Sequence, residues 1–462
     1  MRLPTAALLL SAFAGLSPLA HAASDARMPC PDAMPAALLA DSTCTVVRLP
    51  LRHEAPDAAG IEVFVRRVPA PDPTRRRGEV WLIAGGPGEP GVALHPMLAT
   101  FREAFPDHDL VIPDHRGTGR STRLCPAQES PDSAGGVSLA GTEWGPCIGA
   151  LHADTARTTA FTITQAAQDL SALIARQRQP GDVHVYAVSY GTQLALRMLQ
   201  VAPQPLDGLV LDGLVPAELD MQWDISHRTA LVDAVGREVL GPDGSAAYAR
   251  VLARNDPDAA WRAHVPGGDL RRVLGTLLNF PTLRDRLPAI VDALARDDAA
   301  PLRTALEDLG GIVSVLTADP MAPPSLPLVM LVSTSENNNR PALDRATVDA
   351  EARDALFTSA IPGFLVDPPL PLYERDAHYG QTPTALPRTL VIHGTLDPNT
   401  AYAGALSHVE ALSKAGPVQM TTVERGAHLL AFVAPSCFAA SVRAFLEAGA
   451  VPPHCSEPPT AQ

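Results

Sequence analysis

The sequence predicts an α/β fold: a mostly parallel, doubly wound sheet interrupted by one long helical insertion. Three observations predict it. Residues 79–213 alternate short apolar strands with helical patterns, which is how parallel sheets with helices on both faces read. The alternation stops near residue 216 and resumes at 388. The loops richest in glycine and reactive side chains all follow predicted strands, where ligands bind in such sheets.

The chain has 462 residues, 46% hydrophobic, enough for a substantial core, and its length suits two or three domain-sized units. The net charge of -14 argues against nucleic acid as a partner. Lys414 is the only lysine, so nearly all positive charge is arginine.

Residues 1–22 read as an export signal. Arg2 supplies the positive start, Ala6 to Leu19 the short apolar run, and Ala20-His21-Ala22 the cleavage site. No cysteine follows that site, so no lipid anchor is indicated. No later stretch has the roughly eighteen uninterrupted apolar residues of a spanning helix, so no membrane association is expected after cleavage. Export favours disulfides, and the six cysteines pair most simply with sequence neighbours: Cys30 with Cys44, Cys125 with Cys147, Cys437 with Cys455. No cysteine or histidine spacing suggests a metal site, and no cofactor is expected.

Residues 23–44 read as irregular. Thr45–Leu51 and Ile61–Val68 are valine-rich strands. Glu79–Ala84 is a buried-strand run that opens into Gly85-Gly86-Pro87-Gly88-Glu89-Pro90-Gly91. Val92–Phe105 has a helical pattern. Asp109–Pro113 is the next strand, followed by the loop Asp114-His-Arg-Gly-Thr-Gly-Arg-Ser121. Residues 122–160 are loop-rich. Thr164–Arg176 is a helix with Leu170, Leu173 and Ile174 on one face. The strand from Asp182 reaches Ser189, and a helix follows. Leu206–Asp212 closes the first half.

The core is therefore read as residues 23–215 and 387–455. The insertion, residues 216–386, reads as helices at 227–240, 246–254, 269–278, 283–296 and 301–309, then proline-rich loops at 319–327 and 361–371. Arg388–Gly394 and Val418–Val423 are the returning strands, each ending in a loop, one with Asp397 and the other with His428. Ala439–Ala448 is a closing helix. The tail, residues 456–462, reads as frayed.

Ala187-Val188-Ser189-Tyr190-Gly191 resembles the strand–turn–helix elbow that presents a serine nucleophile. Alanine stands where that pattern has its first glycine. A serine hydroxyl needs a base, and the base needs an orienting acid. Ser189, Asp397 and His428 occur in the chain order this fold requires, each just past a predicted strand. One aspartate or histidine in a loop means little. Three in order, on strand ends of one predicted sheet, form a candidate catalytic triad. The Tyr190 amide follows the nucleophile, and Gly86 lies in the glycine loop where a second oxyanion donor belongs. Pro87 has no amide to give.

Gly86, Gly88 and Gly91 also match a dinucleotide-binding glycine pattern, with Asp114 near the place of a ribose-binding acid. Pro87 and Pro90 delete amides that a pyrophosphate would use, and Glu89 adds negative charge, so that reading is set aside.

Gly85-Gly86-Pro87-Gly88, Asp114–Ser121, Val188-Ser189-Tyr190-Gly191, Asp397-Pro398-Asn399-Thr400, Gly426-Ala427-His428 and the late pair Cys437 and Cys455 together carry a resemblance. The chain resembles the secreted tripeptidyl-aminopeptidase-like and prolyl-aminopeptidase branch of the α/β-hydrolase peptidases. The resemblance runs from about residue 45 to 455 and is loose over the helical insertion. It implies an α/β-hydrolase fold with a helical cap, no cofactor, and a serine exopeptidase acting on peptides with free N-termini. It also implies that acidic cap residues hold the substrate's α-ammonium. Glu336, in the apolar segment Leu331–Asn337 that resembles the family's cap strand, takes that position. Here Asn337 replaces the second acid. The alternatives are an esterase or lipase with the same triad, and a catalytically inactive binding protein on this scaffold.

Overall fold

The computed structural model describes residues 25–31, 35–254 and 256–458. Residues 1–22, read above as an export signal, and residues 459–462 of the tail lie outside the described residues. Ten strands form one sheet: β1 (Ala26–Met28), β2 (Thr43–Pro50), β3 (Gly60–Val68), β4 (Gly78–Ile83), β5 (His108–Pro113), β6 (Asp182–Val188), β7 (Gly208–Asp212), β8 (Thr389–Gly394), β9 (Val418–Val423) and β10 (His454–Cys455). Their order is β1-β2-β3-β5-β4-β6-β7-β8-β9-β10. The pairings β1–β2, β2–β3 and β3–β5 are antiparallel, and the rest are parallel.

Strands β4, β5, β7 and β8 are buried along their whole length, and β6 along all but its first residue. Helices cover both faces there, which is why these strands read as continuous apolar runs. On one face Trp81, Val185 and Leu211 pack against helices Ile163–Gln177 and Tyr190–Val201. On the other, Leu82, Tyr186 and Val210 pack against Phe101, Phe438 and Phe445 from helices Leu98–Ala104 and Pro435–Leu446. The Ile163–Gln177 helix starts where the Thr162 side chain accepts from the Gln165 amide at 3.1 Å, a standard N-cap. The Tyr190–Val201 helix stops one residue short of Pro203, which cannot continue it.

Between β7 and β8 the chain is helical. Arg228–Arg254 breaks at Gly241, where φ is 65°, just before Pro242; this accounts for the two separate helical patterns. With Leu270–Leu277, Leu287–Ala295 and Ala300–Leu316 it encloses a third core around Tyr248, Leu274, Leu302 and Phe357.

Several segments differ from their sequence reading. Residues 23–44 contain β1 and a short helix, Ala36–Leu39, and β10 adds a two-residue strand. These pieces are too short to show a period. Each of the two strands lies beside a disulfide, Cys30–Cys44 or Cys437–Cys455. Helix Trp144–Ala153 lies inside the stretch read as loop and carries Cys147, bonded to Cys125. All three expected disulfides are present. The segment read as an apolar strand before Glu336 is a helix, Leu326–Ser335. Its β-branched content suggests strand, but Leu328, Leu331 and Val332 fall at helical spacing and pack into the core beside the sheet. Among the described residues no helix is long and apolar enough to cross a membrane.

The Asp114–Ser121 loop is a brace. Arg116 is 1% exposed. Its guanidinium donates to Asp169 at 2.6 and 2.7 Å and to the carbonyls of Leu51 and Ala160, both at 2.8 Å. This pins β2, the β5 loop and the Ile163–Gln177 helix together. Removing one partner of a buried pair strands the other's charge. Arg116→Met is therefore expected to cost about 3–5 kcal/mol, read by urea denaturation of the purified protein. A loss below about 1 kcal/mol, the size of a surface pair, would show that the brace does not hold the fold.

Candidate active site

Ser189 directly follows β6 and stands at the N-cap position of the next helix with φ 55° and ψ -126°. A non-glycine residue there is strained, by about 1–3 kcal/mol. The turn is held on three sides. The Ser189 amide donates to the Asp212 carbonyl at 3.0 Å, and the Thr192 amide and hydroxyl donate to the Ser189 carbonyl at 2.8 and 2.7 Å. Gly191 passes so close to β4 that a Cβ would lie 2.7 Å from the Ala84 carbonyl oxygen. That contact explains the second glycine of the elbow, while Ala187 fits as a fully buried residue of β6.

Asp397 and His428 follow β8 and β9. His428 Nδ1 lies 2.7 Å from Asp397 Oδ2, and the carboxylate also accepts from the amides of Asn399 and Thr400 at 2.7 and 2.9 Å and from the Thr400 hydroxyl at 2.7 Å. Burial works against ionisation of Asp397, but the charge and hydrogen bond of His428 hold it well below the usual carboxylate range. Burial likewise works against protonation of His428, and Asp397 overcomes it, raising the imidazole above its ordinary value. With Nδ1 donating to Asp397, Nε2 is the basic nitrogen.

Asp212, at the end of β7, ties serine to histidine. Its carbonyl holds the Ser189 amide, and its carboxylate accepts from Leu430 and Ala431 amides at 3.0 and 3.1 Å and from the Tyr186 hydroxyl at 2.9 Å. The next residue, Gly213, lies against the imidazole: a Cβ there would stand 2.9 Å from His428 Cε1. Nothing in the sequence beyond a strand-terminal acid marks Asp212.

A cleft open to solvent lies over Ser189. Gly86, Pro87, Tyr190, Gln193, Glu218, Arg228, Asn337 and Thr400 are among its walls, so both expected oxyanion positions reach it. His115, which burial pushes down to about 4 and so keeps neutral, braces the glycine loop from behind, with Nε2 2.7 Å from the Pro87 carbonyl. Asp114 accepts from the Gly91 and Arg120 amides, both at 2.8 Å. Its carboxylate is a loop clamp, not a ribose ligand.

Glu336 is placed differently from its sequence reading. It is 2% exposed and is not on the cleft wall; its neighbour Asn337 is. Arg197, 1% exposed, lies 3.3 Å from Glu336, 2.7 Å from Glu218 and 3.6 Å from Asp376. Burial pushes Glu336 up to about 7, against the pull of Arg197 and with the help of Glu218's charge. Glu218, which the sequence reading missed, takes the wall position. Its carboxylate also accepts from Gln193 at 2.7 Å and the Gly380 amide at 2.6 Å.

The fold is the α/β-hydrolase fold. Residues 80–267 match the family model described as alpha/beta hydrolase fold, and residues 370–457 match the one described as TAP-like protein. No curated protein matches the chain. Among solved structures, an esterase from Thermogutta terrifontis is similar at 14% identity and TM-score 0.40, covering 87% of this chain and 98% of its own. A laboratory-evolved potato epoxide hydrolase is similar at 14% and 0.37, covering 87% and 99%. A bromoperoxidase from Bacillus anthracis is similar at 13% and 0.39, covering 87% and 99%. At such identities these likenesses do not bear on substrate.

Two predictions follow from the geometry. Ser189→Gly relieves the strained φ and is expected to stabilise the protein by about 1 kcal/mol while abolishing hydrolysis. Equal or lower stability in denaturant titration would mean that the turn carries no strain. The second concerns pH. If His428 is the base, it must be neutral, so kcat/KM should fall as pH drops through an apparent pKa above the ordinary 6.5 of histidine. Burial pushes Glu336 up to about 7, so it can also titrate near neutrality, and the limb should be measured in Glu336→Gln as well. A limb that disappears in that variant would belong to Glu336 and not to His428.

Proposed function

We propose that this protein is an exported serine aminopeptidase, of the tripeptidyl- or prolyl-aminopeptidase-like kind. In this reading Ser189 Oγ attacks the scissile carbonyl. His428 Nε2 takes the hydroxyl proton and delivers it to the leaving amine. Asp397 stays ionised and fixes the ring's tautomer. The Tyr190 amide, first in its helix and so without an intrahelical partner, faces the developing oxyanion together with Gly86. Water, activated by the same histidine, then releases the acyl group.

One observation carries the peptidase reading. At one end of the cleft three carboxylates, Glu218, Glu336 and Asp376, surround a single guanidinium, Arg197. When ionised, they leave net negative charge at a partly buried site, which favours a substrate ammonium. Glu218 meets the ammonium from the wall, and Glu336 adds charge from behind. Glu218, Asp224, Arg228, Asn337 and Asn339 line the cleft beside Val215, Trp223 and Ile225, a mixed wall that suits a peptide with a charged terminus. The Asp397–His428 bond supports an enzyme over an inactive binding protein. The three disulfides fit a periplasmic or secreted location.

The test is a panel of proline, alanine and tripeptide chromogens, their N-acetyl forms and a short-chain ester. Acetylation should lower kcat/KM about 10–100-fold, the value of a charge-assisted hydrogen bond. Glu218→Gln should raise KM for free-amine substrates about tenfold and leave acetylated ones unchanged. Equal turnover of free and blocked peptides would remove the ammonium site. Ester cleavage alone would make the protein an esterase.

A further inference from the structure

At the opposite end of the sheet from Ser189, three ligand-type side chains meet. His108 opens β5, Asp182 opens β6, and His184 follows two residues on, on the same face of the strand. One nitrogen from each ring and a carboxylate oxygen of Asp182 all lie within 4.8 Å of one another. The rings stand edge to face with centroids 5.2 Å apart. His108 is 1% exposed and His184 4%. Among the described residues, none of the four ring nitrogens has a hydrogen-bond partner. Buried polar atoms are ordinarily satisfied, and two adjacent imidazoles left wholly unpaired call for an explanation.

The sheet explains the meeting. Strand β4 runs between β5 and β6, and Gly78 pairs with His108 on one side and Asp182 on the other. Strands two apart stand about 9.5 Å from each other, so their side chains meet only over an empty middle position. Gly78 supplies it, and a Cβ there would fall 2.1 Å from the Asp182 carbonyl oxygen. The carboxylate of Asp182 is 38% exposed and opens the cluster to solvent beside Arg77, 3.3 Å away. Asp107 and Asp207 add negative charge nearby, while Arg77 and Arg388 oppose it. Burial favours the neutral form of both rings, leaving each a lone pair.

We infer that His108, Asp182 and His184 form a binding site for a divalent transition metal of the zinc and copper class. Two imidazoles and one carboxylate are donors these ions take; calcium and magnesium prefer all-oxygen shells. Bonds of about 2.0–2.1 Å in a tetrahedral shell set ligand atoms roughly 3.3 Å apart, so small side-chain rotations close the site, with solvent completing the shell. The ion would tie β5 to β6 across β4, far from hydrolysis. Sequence spacing hides the site, because its ligands come from two strands 74 residues or more apart.

The experiment is a cobalt(II) titration of the metal-stripped mature protein, followed by absorbance, with zinc competition and thermal melts with and without zinc. The expected result is one tight equivalent with tetrahedral cobalt bands and a zinc-dependent rise in melting temperature. His184→Gln should lose that equivalent, and Asp182→Asn should weaken it about tenfold or more. His428→Ala should keep it, which separates this site from the hydrolytic histidine. Asp182 is partly exposed at a strand end, so its variant remains informative if His184→Gln fails the circular-dichroism check of folding. The inference falls if wild type and Asp182→Asn bind alike, if no equivalent is tighter than the exposed-histidine background, or if the equivalent vanishes in His428→Ala. The histidines would then be an aromatic packing pair only.

Discussion

The placement of the site depends on Asp212. The serine elbow and the histidine loop arise from strands separated in the sheet by β7 and β8, and nothing in either loop alone sets their distance. Asp212 does so from the strand beside the elbow, with its main chain on Ser189 and its side chain on the two amides just past His428. It has 0% exposure, so these bonds form where water cannot compete. Burial raises its pKa, and the same amides together with the nearby charge of His428 pull back toward ionisation. A carboxylate with two amide donors and a tyrosine hydroxyl is an inexpensive charge to bury, whereas a bare one is not.

The second organising feature is electrostatic. Arg197 belongs to the helix that begins at the nucleophile, and the carboxylates around it come from the insertion or its first connecting loop. One buried cation therefore docks the helical layer onto the sheet layer close to Ser189. Of its acidic partners, Glu218 also lines the cleft. Arg228, on the cleft wall and hydrogen-bonded to Asn399 at 2.7 Å, ties the same helical layer to the loop after β8.

Much of this was legible in the sequence for a physical reason. Ser189, Asp397 and His428 each follow a segment recognisable as a strand, and in a parallel sheet the loops at such ends converge. The disulfides were legible because each joins cysteines close in sequence. Features that depend on facing were not legible. Glu336 was visible as an acid after an apolar segment, but its facing is set where that helix ends. The helix stops at Ser335, Glu336 caps it and turns inward to Arg197, and Asn337, past the cap, reaches the cleft. Glu218 and Asp376 acquire meaning only through Arg197, a contact between distant residues that no local pattern announces. Strands β1 and β10 hold two or three residues each, too few for alternation to register.

The insertion and the triad are not separable modules. Asp397 sits between Leu396 and Ala401, 1% and 2% exposed, and both belong to the insertion's own apolar core and not to either face of the sheet. Asn399, two residues on, donates to Asn279 at 2.6 Å and accepts from Arg228 at 2.7 Å, both in the insertion. The loop that presents the orienting carboxylate is therefore anchored at its base by β8 and at its tip by the helical layer. Interiors are close-packed and transmit displacement instead of absorbing it. A shift of the helices on the sheet would carry Asp397, and with it the imidazole it holds at 2.7 Å. The insertion is thus mechanically continuous with the Asp397–His428 pair.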